Sequence, residues 1–306
     1  MQNNKVIVVL NGGLGNQLFQ LAAGFLILGS DQLKIDWSGR KNPRLNRDSP
    51  PEILDSKLAE KFIPTHNKKD SKLFGFACRL SLSIDSNPSW SKPSRELVTS
   101  VINLYLSIRY RTPCRLVTSR NSSRLNSART QVLIGYFQDR KFLQDSRIRG
   151  LFKTWVESES TQLTEEKALV VHYRFGDYLK EDLFGMPGSR YYLNAIEEIW
   201  SNGHYDSIWI FSDDIELARK AFPEKFIEYA SFKSEVLRTS IEEILLMTHG
   251  ASYVISNSTF AWWAAALSQR QGAPVVLPEP WFKDLPNREN RKLDGWKSLP
   301  AFFSTN

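Results

Sequence analysis

Val170-Val171-His172-Tyr173-Arg174-Phe175-Gly176-Asp177-Tyr178 runs from an apolar strand pattern directly into a His, an Arg and an Asp. In an open α/β sheet, ligands bind beyond the carboxyl ends of the strands, so polar groups placed there are candidates for chemistry. Two other apolar runs end the same way. Ser207 to Phe211 stops at Ser212-Asp213-Asp214, and Tyr253 to Ile255 stops at Ser256-Asn257-Ser258-Thr259 before an apolar helical segment. Three polar strand ends, each followed by a helical pattern, predict one site on a parallel sheet.

Working outward, the pattern predicts a strand at Ala168, a helix from about Tyr191, a strand at Ile208 and a helix from about Ile215. A strand near Phe226, a helix from about Ser234, a strand at Tyr253, a helix from about Phe260 and a strand over Pro274 to Leu277 follow. This alternation means βαβ units and a Rossmann-like C-terminal domain, residues 159–306. Toward the N-terminus, Lys5 to Leu10 reads as a strand and Gly12-Gly13-Leu14-Gly15 as a turn. Asn16 then caps a helix whose apolar face carries Leu18, Phe19, Leu21, Ala22, Phe25 and Leu26. Leu33 to Asp36 reads as a second strand, and residues 37–70 as a surface excursion with short helices. Leu73 to Leu82 and Leu97 to Ile108 are helical, Val132 to Phe137 a strand, and Asp139 to Glu157 a helix. Ser158-Glu159-Ser160-Thr161 is the predicted linker, which closes an N-terminal domain at residues 1–158.

A chain of 306 residues that is 42% apolar accommodates two such domains. Cys78 and Cys114 have no metal-ligand spacing and form no disulfide framework, so two free thiols are expected. The apolar run Val6 to Leu10 is far short of a signal-peptide core or a membrane span, and no later segment reaches that length either. Cytoplasmic placement, with at most peripheral contact at an inner membrane, is the expectation. The charge is uneven: residues 1–150 hold 24 Lys and Arg against 11 Asp and Glu, within a chain of net +7. A basic half is compatible with an ordinary solvated surface, with anionic lipid headgroups or with a phosphate-bearing acceptor. Nucleic acid is disfavoured, because the basic residues between Arg111 and Arg129 alternate with Ser and Asn rather than with stacking aromatics.

Gly12 to Gln17 places a Gly-rich turn at a helix start, where backbone N–H groups can face an anion; Gly13, Gly15, Asn16 and Gln17 are therefore candidates. The pattern is neither G-x-G-x-x-G nor a Walker sequence, and a purely structural turn is equally compatible with it. Arg174 offers a planar fork of donors matched to a diphosphate, the alternative being an ion pair with Asp177. His172 shares a strand face with Arg174, which favours a ligand role over that of an ordinary core histidine. Ser256 to Thr259 opens a helix and provides either an anion clamp or ordinary N-capping, two compatible readings. Trp262 and Trp263 pack behind this loop. Asp213 and Asp214 are not a D-x-D pair, and no His or Cys cluster has ligand spacing, so no metal is expected. They suit ribose hydroxyls or a base instead.

The motifs Gly12 to Gln20, Gly135-Tyr136-Phe137-Gln138, His172 to Leu179, Phe211 to Asp214 and Ser256 to Trp263 together resemble glycosyltransferase family 11, the α-1,2-fucosyltransferases. They occur in the family's order and span nearly the whole chain. The resemblance implies a GT-B fold, two Rossmann-like domains facing each other across a cleft, with the C-terminal one more regular. It implies GDP-fucose bound by the C-terminal domain, an acceptor glycan approaching from the N-terminal side, and inversion without a metal ion or other cofactor. The family's His-x-Arg-Arg-Gly-Asp motif has its second Arg replaced here by Phe175, while its first is kept as Arg174. The resemblance further implies that Glu243 faces the guanine, that His172 approaches it, and that Tyr191 and Tyr192 are structural. Ser212, Asp213, Asp214, Asn257, Ser258, Thr259 and Phe260 complete the expected donor site.

The expected reaction is attack of an acceptor hydroxyl, the 2-OH of a terminal galactose in a bacterial surface oligosaccharide such as an O-antigen, on the anomeric carbon of fucose. Such a transition state needs fixed positive charge at the departing diphosphate. Arg174 and the helix start at Ser258 supply it. Asp177 and Asp182 are the candidate bases, with Glu181 third. The partners implied are GDP-fucose and a galactose-terminated acceptor, which can be lipid-linked. Two alternatives are carried forward: a GT-B enzyme using another nucleotide sugar, and a nucleotide- or glycan-binding protein without turnover.

Overall fold

A computed structural model describes residues 5–28, 33–38, 50–65, 71–87, 89–121, 130–160, 163–176, 184–284 and 290–303. The chain divides into two compact units, Met1–Phe152 and Lys153–Asn306.

In the first unit, β1 (Val6–Val9), β2 (Leu33–Asp36), β3 (Phe62–Pro64), β4 (Cys114–Val117) and β5 (Thr130–Leu133) form a five-stranded sheet in the order β3-β2-β1-β5-β4. Every pairing is parallel. The sheet is joined by α1 (Leu14–Leu28), α2 (Ser71–Ser86), α3 (Lys92–Tyr110) and α4 (Lys141–Gln144), and α5 (Ser146–Glu159) runs on across the division between the units. Phe74 and Cys78 of α2 and Ile102 and Leu106 of α3 pack with Ile7, Val9, Leu116 and Val132, so α2 and α3 cover one face of this sheet. A Cβ at Gly24 of α1 would lie 2.5 Å from Val8 Cγ2, which shows how closely that helix sits on β1.

The second unit carries β6 (Ala168–Tyr173), β7 (Ser207–Ser212), β8 (Ala230–Phe232), β9 (Ser252–Val254), β10 (Val275–Glu279) and β11 (Lys297–Pro300), in the order β11-β10-β9-β6-β7-β8 and again parallel throughout. Its helices are α6 (Ser189–Trp200), α7 (Ile215–Ala221), α8 (Ser240–Met247) and α9 (Thr259–Ala266). All six residues of β6 are buried, as expected of a central strand covered on both faces. Leu169, Val171 and Tyr173 point to one side, where α6 lays down Tyr191, Tyr192, Ala195, Ile196 and Ile199. Strand alternation therefore puts Val170 and His172 on the other side, where the His172 ring lies 6.1 Å from that of Phe260 in α9. The Thr259–Ala266 helix is apolar around its circumference and is buried accordingly.

Several elements differ from the sequence expectation. α1 starts at Leu14, so Asn16 lies in its first turn rather than capping it. The chain leaves β5 after Leu133, short of the strand expected through Phe137, which instead takes a left-handed φ of 52°. The helix expected from Asp139 to Glu157 is broken at Asp145, whose carboxylate accepts from the N–H groups of Arg147 and Ile148 and so starts α5 afresh. Ser158 and Glu159 belong to α5, and Ser160 is anchored by His249 and Gln269, so the expected linker is structured up to that point. Phe226 sits in a 3-10 turn, Glu224–Tyr229, ahead of β8, and α8 begins at Ser240 rather than near Ser234. Both cysteines are buried free thiols.

Candidate active site

β9, β6 and β7 are neighbours in the second sheet, with His172 opposite Phe211 and Tyr173 opposite Ser212. Their carboxyl ends therefore open side by side, and the three polar motifs meet along one edge.

His172 is buried, and its Nδ1 lies 2.8 Å from Ser256 Oγ, beyond the end of β9. Burial, with the positive charge of Arg174 second, pulls the imidazole down to about 3, so it is neutral at physiological pH. Its backbone carbonyl accepts from the Tyr192 hydroxyl, and the Tyr191 hydroxyl donates to the carbonyls of Ile255 and Val276. The tyrosine pair thus fixes the strand ends from beneath.

Arg174 leaves the sheet one residue beyond β6. Its Nη1 lies 3.0 Å from Asp213 Oδ2, while Asp213 Oδ1 accepts the backbone N–H of Phe175 at 2.9 Å. A single carboxylate at the end of β7 therefore holds both the guanidinium and the backbone that follows it. The Phe175 ring stacks on Tyr173, which stacks in turn on Tyr192. An Arg at this position would have brought a second cation; Phe175 instead extends an aromatic column from the core.

Asp214 is the N-cap of α7: its carboxylate accepts from Leu217 N, and its own N–H donates to Ser212 Oγ. The Ser212 backbone N–H donates to Ser234 Oγ, which donates to Glu243 Oε1 at 2.5 Å. Glu243, from α8, is thereby brought to the end of β7, and burial raises its carboxyl above the usual range.

The Ser256 to Phe260 segment divides its labour. Asn257 is fully buried and its amide donates to the carbonyls of Phe184, Gly185 and Trp281, which ties the segment into the fold. Ser258 holds the N-cap position of α9 without a side-chain capping bond, and Thr259 and Phe260 form the first turn. The positive end of that helix lies next to His172. Trp262 and Trp263 are buried behind it.

In the first unit the Gly-rich turn is held internally. Gln17 Nε2 donates to the Gly12 carbonyl, and Gln20 joins both backbone groups of Asn11 to the Gly135 carbonyl. Gln138 Nε2 donates to Asn16 Oδ1. The two N-terminal motifs are thus neighbours at the ends of β1 and β5. Gly12 needs its left-handed φ of 76°, whereas a Cβ on Gly13 would meet nothing within 4 Å, so the fold leaves Gly13 open to an approaching group.

Asp177, Glu181 and Asp182 lie outside the described residues. Among the described residues no group of three His, Cys, Asp or Glu could hold a metal ion. Sequence reasoning missed Ser256 as the partner of His172 and Ser234 as the link to Glu243. Strand register could have found the first, since β6 and β9 are adjacent; nothing local marks the second.

Each unit is thus an all-parallel α/β fold, and the second carries a cation, a neutral histidine and a helix start at its carboxyl edge. The profile of glycosyl transferase family 11 matches residues 126–299, and the chain belongs to that family. The α-1,2-colitosyltransferase of Escherichia coli is 26% identical over 294 residues, covering 91% of this chain and 92% of its own length. The O-antigen biosynthesis glycosyltransferase WbnK of E. coli is 24% identical over 315 residues, covering 95% and 99%. Among solved structures, the NodZ α-1,6-fucosyltransferase soaked with GDP-fucose aligns at 14% identity and a TM-score of 0.45, covering 93% of this chain and all of its own.

Proposed function

We propose that this glycosyltransferase moves L-fucose from GDP-fucose to the 2-OH of a terminal galactose in a surface oligosaccharide of the O-antigen type, with inversion and without a metal ion. The observation that carries the reading is Arg174, a cation paired with Asp213 two residues beyond His172, whose ring lies 6.1 Å from that of Phe260 in the first turn of α9. The acceptor oxygen forms a bond to the anomeric carbon as the bond from that carbon to the β-phosphate oxygen breaks, and the hydroxyl proton passes to a carboxylate. Asp177 and Asp182 are the proposed bases. Charge builds on the departing diphosphate, where the guanidinium and the N–H groups opening α9 meet it. Ser212 and Asp213 border the ribose, and Glu243, with His172, borders the base. Cytoplasmic placement goes with a GDP-sugar donor.

A second reading is favoured by Phe175 and by the colitosyltransferase among the relatives. Colitose lacks one hydroxyl that fucose carries, and an aromatic side chain where the family has Arg suits a donor with one polar group fewer. Thermal unfolding with GDP, GDP-fucose, GDP-mannose and UDP, each with and without EDTA, tests the donor class, because a ligand at about 100 times its Kd adds about 2.7 kcal/mol to the native state. Stabilisation by GDP and GDP-fucose that EDTA leaves unchanged is expected. Preference for UDP would overturn the donor assignment, and loss of the effect in EDTA would overturn metal independence. Equal turnover of GDP-fucose and GDP-colitose would show that Phe175 does not select between them.

A further inference from the structure

The outer surface of the first unit carries an apolar feature that the donor-site reading does not involve. On α3, Leu97, Val101, Leu104 and Ile108 recur at spacings of four, three and four, which places them on one helical face. That face is not the one in the core: Ile102 and Leu106 are buried against the sheet, whereas the four aliphatic side chains are 59–69% exposed. On α2, which covers the same sheet face, Leu73 and Phe76 are 56% and 54% exposed. Six large apolar side chains therefore face water from two adjacent helices, well beyond the scattered single hydrophobics of an ordinary surface.

The charge around them is predominantly positive. Residues 71–121 contain eight Lys and Arg against Asp85 and Glu96, and of the eight only Arg109 is withdrawn from the surface in a buried pair with Asp36. Lys72 and Arg79 on α2, Lys92 at the start of α3 and Arg111 just past its end are all exposed. A groove of about 650 Å³ runs between Leu104, Ile108 and Arg111, with Ser107 and Thr112 on its wall. Apolar side chains framed by cations with long aliphatic stems form the composition of an interfacial helix, in which the stems lie along the apolar boundary while their heads reach phosphates. A second copy of this chain does not fit as the occupant, because it would bring an equally basic surface against this one.

We propose that the outer face of α2 and α3 is a docking surface for an anionic lipid bilayer: the six apolar side chains enter the headgroup boundary, and Lys72, Arg79, Lys92 and Arg111 meet lipid phosphates. Among the described residues no helix is long and apolar enough to cross a membrane, so the contact is one of lying on the surface. This inference is independent of the donor assignment.

The test is flotation of the full chain with phosphatidylcholine vesicles, with and without phosphatidylglycerol, at low and high salt. Retention on the anionic vesicles should exceed that on the neutral ones by about tenfold at low salt and fall as salt is added. The double variant Leu104→Glu, Ile108→Glu should lose about tenfold of that retention. Because both side chains face solvent, it should keep the wild-type unfolding temperature and GDP response. Arg111→Glu should weaken retention and flatten its salt dependence. Equal retention on both vesicle types, or full retention of the double variant, would overturn the proposal. So would a wild-type dimer in sedimentation velocity that the double variant converts to monomer, which would assign the face to a second copy.

Discussion

Arg174 is paired with the Asp213 carboxylate at the end of β7, and the proposed mechanism says what its removal should do. If Arg174 meets the diphosphate as proposed, Arg174→Ala should lower kcat/KM by roughly 3 kcal/mol of transition-state stabilisation, about a hundredfold, with little change in fold because the Asp213 pair is partly exposed. Near-normal turnover in a donor-consumption assay would remove charge stabilisation from the mechanism. His172 makes a different prediction. Its imidazole is held near 3 against an ordinary 6.5, so between those values the unfolded chain takes up a proton that the native state refuses. That contribution to stability is complete above about pH 6.5 and is lost as pH falls toward 3, at no more than about 1.4 kcal/mol per pH unit. Glu243 has the opposite sense, since its raised carboxyl contributes at low pH and the contribution fades as pH rises through its folded value. Urea midpoints from pH 7 down to 4.5 should therefore fall more steeply in the wild type than in His172→Gln; equal slopes would place the acid sensitivity on another group.

Among the elements, α8 joins local sequence to site geometry most directly. Thr239 and Glu242 form a reciprocal capping box, with the Thr239 side chain accepting from Glu242 N and Glu242 Oε2 accepting from Thr239 N. This box sets where the helix starts and hence where Glu243, one residue further on, meets Ser234. Thr239→Ala should cost about 1 kcal/mol of stability. It should also weaken GDP binding measured by calorimetry, although Thr239 touches neither Ser234 nor Ser212; unchanged affinity would show that Ser234 alone positions Glu243. The same box was legible as a Thr-x-x-Glu pattern and marks the start of α8 better than the apolar periodicity that suggested a start near Ser234. The break at Asp145 is of the same kind: a capping side chain interrupts a run whose hydrophobic period continues through it.

Across the whole molecule, what the sequence disclosed follows the length and burial of its apolar runs. β6, with six buried residues, and the strands beside it were legible because a central parallel strand must be apolar on both faces. β3, β4 and β11 were not, since short or edge strands such as Phe62–Pro64 and Lys297–Pro300 mix polar and apolar residues without a clean period. The site was legible as three strand ends, and the topology that makes them adjacent is the usual consequence of alternating strands and helices. Its wiring was not, because Ser256 to His172 and Ser234 to Glu243 are contacts between elements that the sequence separates by 84 and 9 residues. Asn257 shows that a motif residue can also hold the fold, since its amide donates to three carbonyls around the segment.

The buried sulfur atoms have a practical side. Cys78 and Cys114 both lie within the first unit, and burial pushes their thiols up, that of Cys114 to about 11, so neither offers a thiolate to an alkylating reagent near neutral pH. The protein is in effect a cysteine-silent background in its natural form. A lone Leu104→Cys replacement on the outer face of α3 would take a fluorophore or spin label at one place only, turning that helix into its own reporter without the removal of a single native residue from the core.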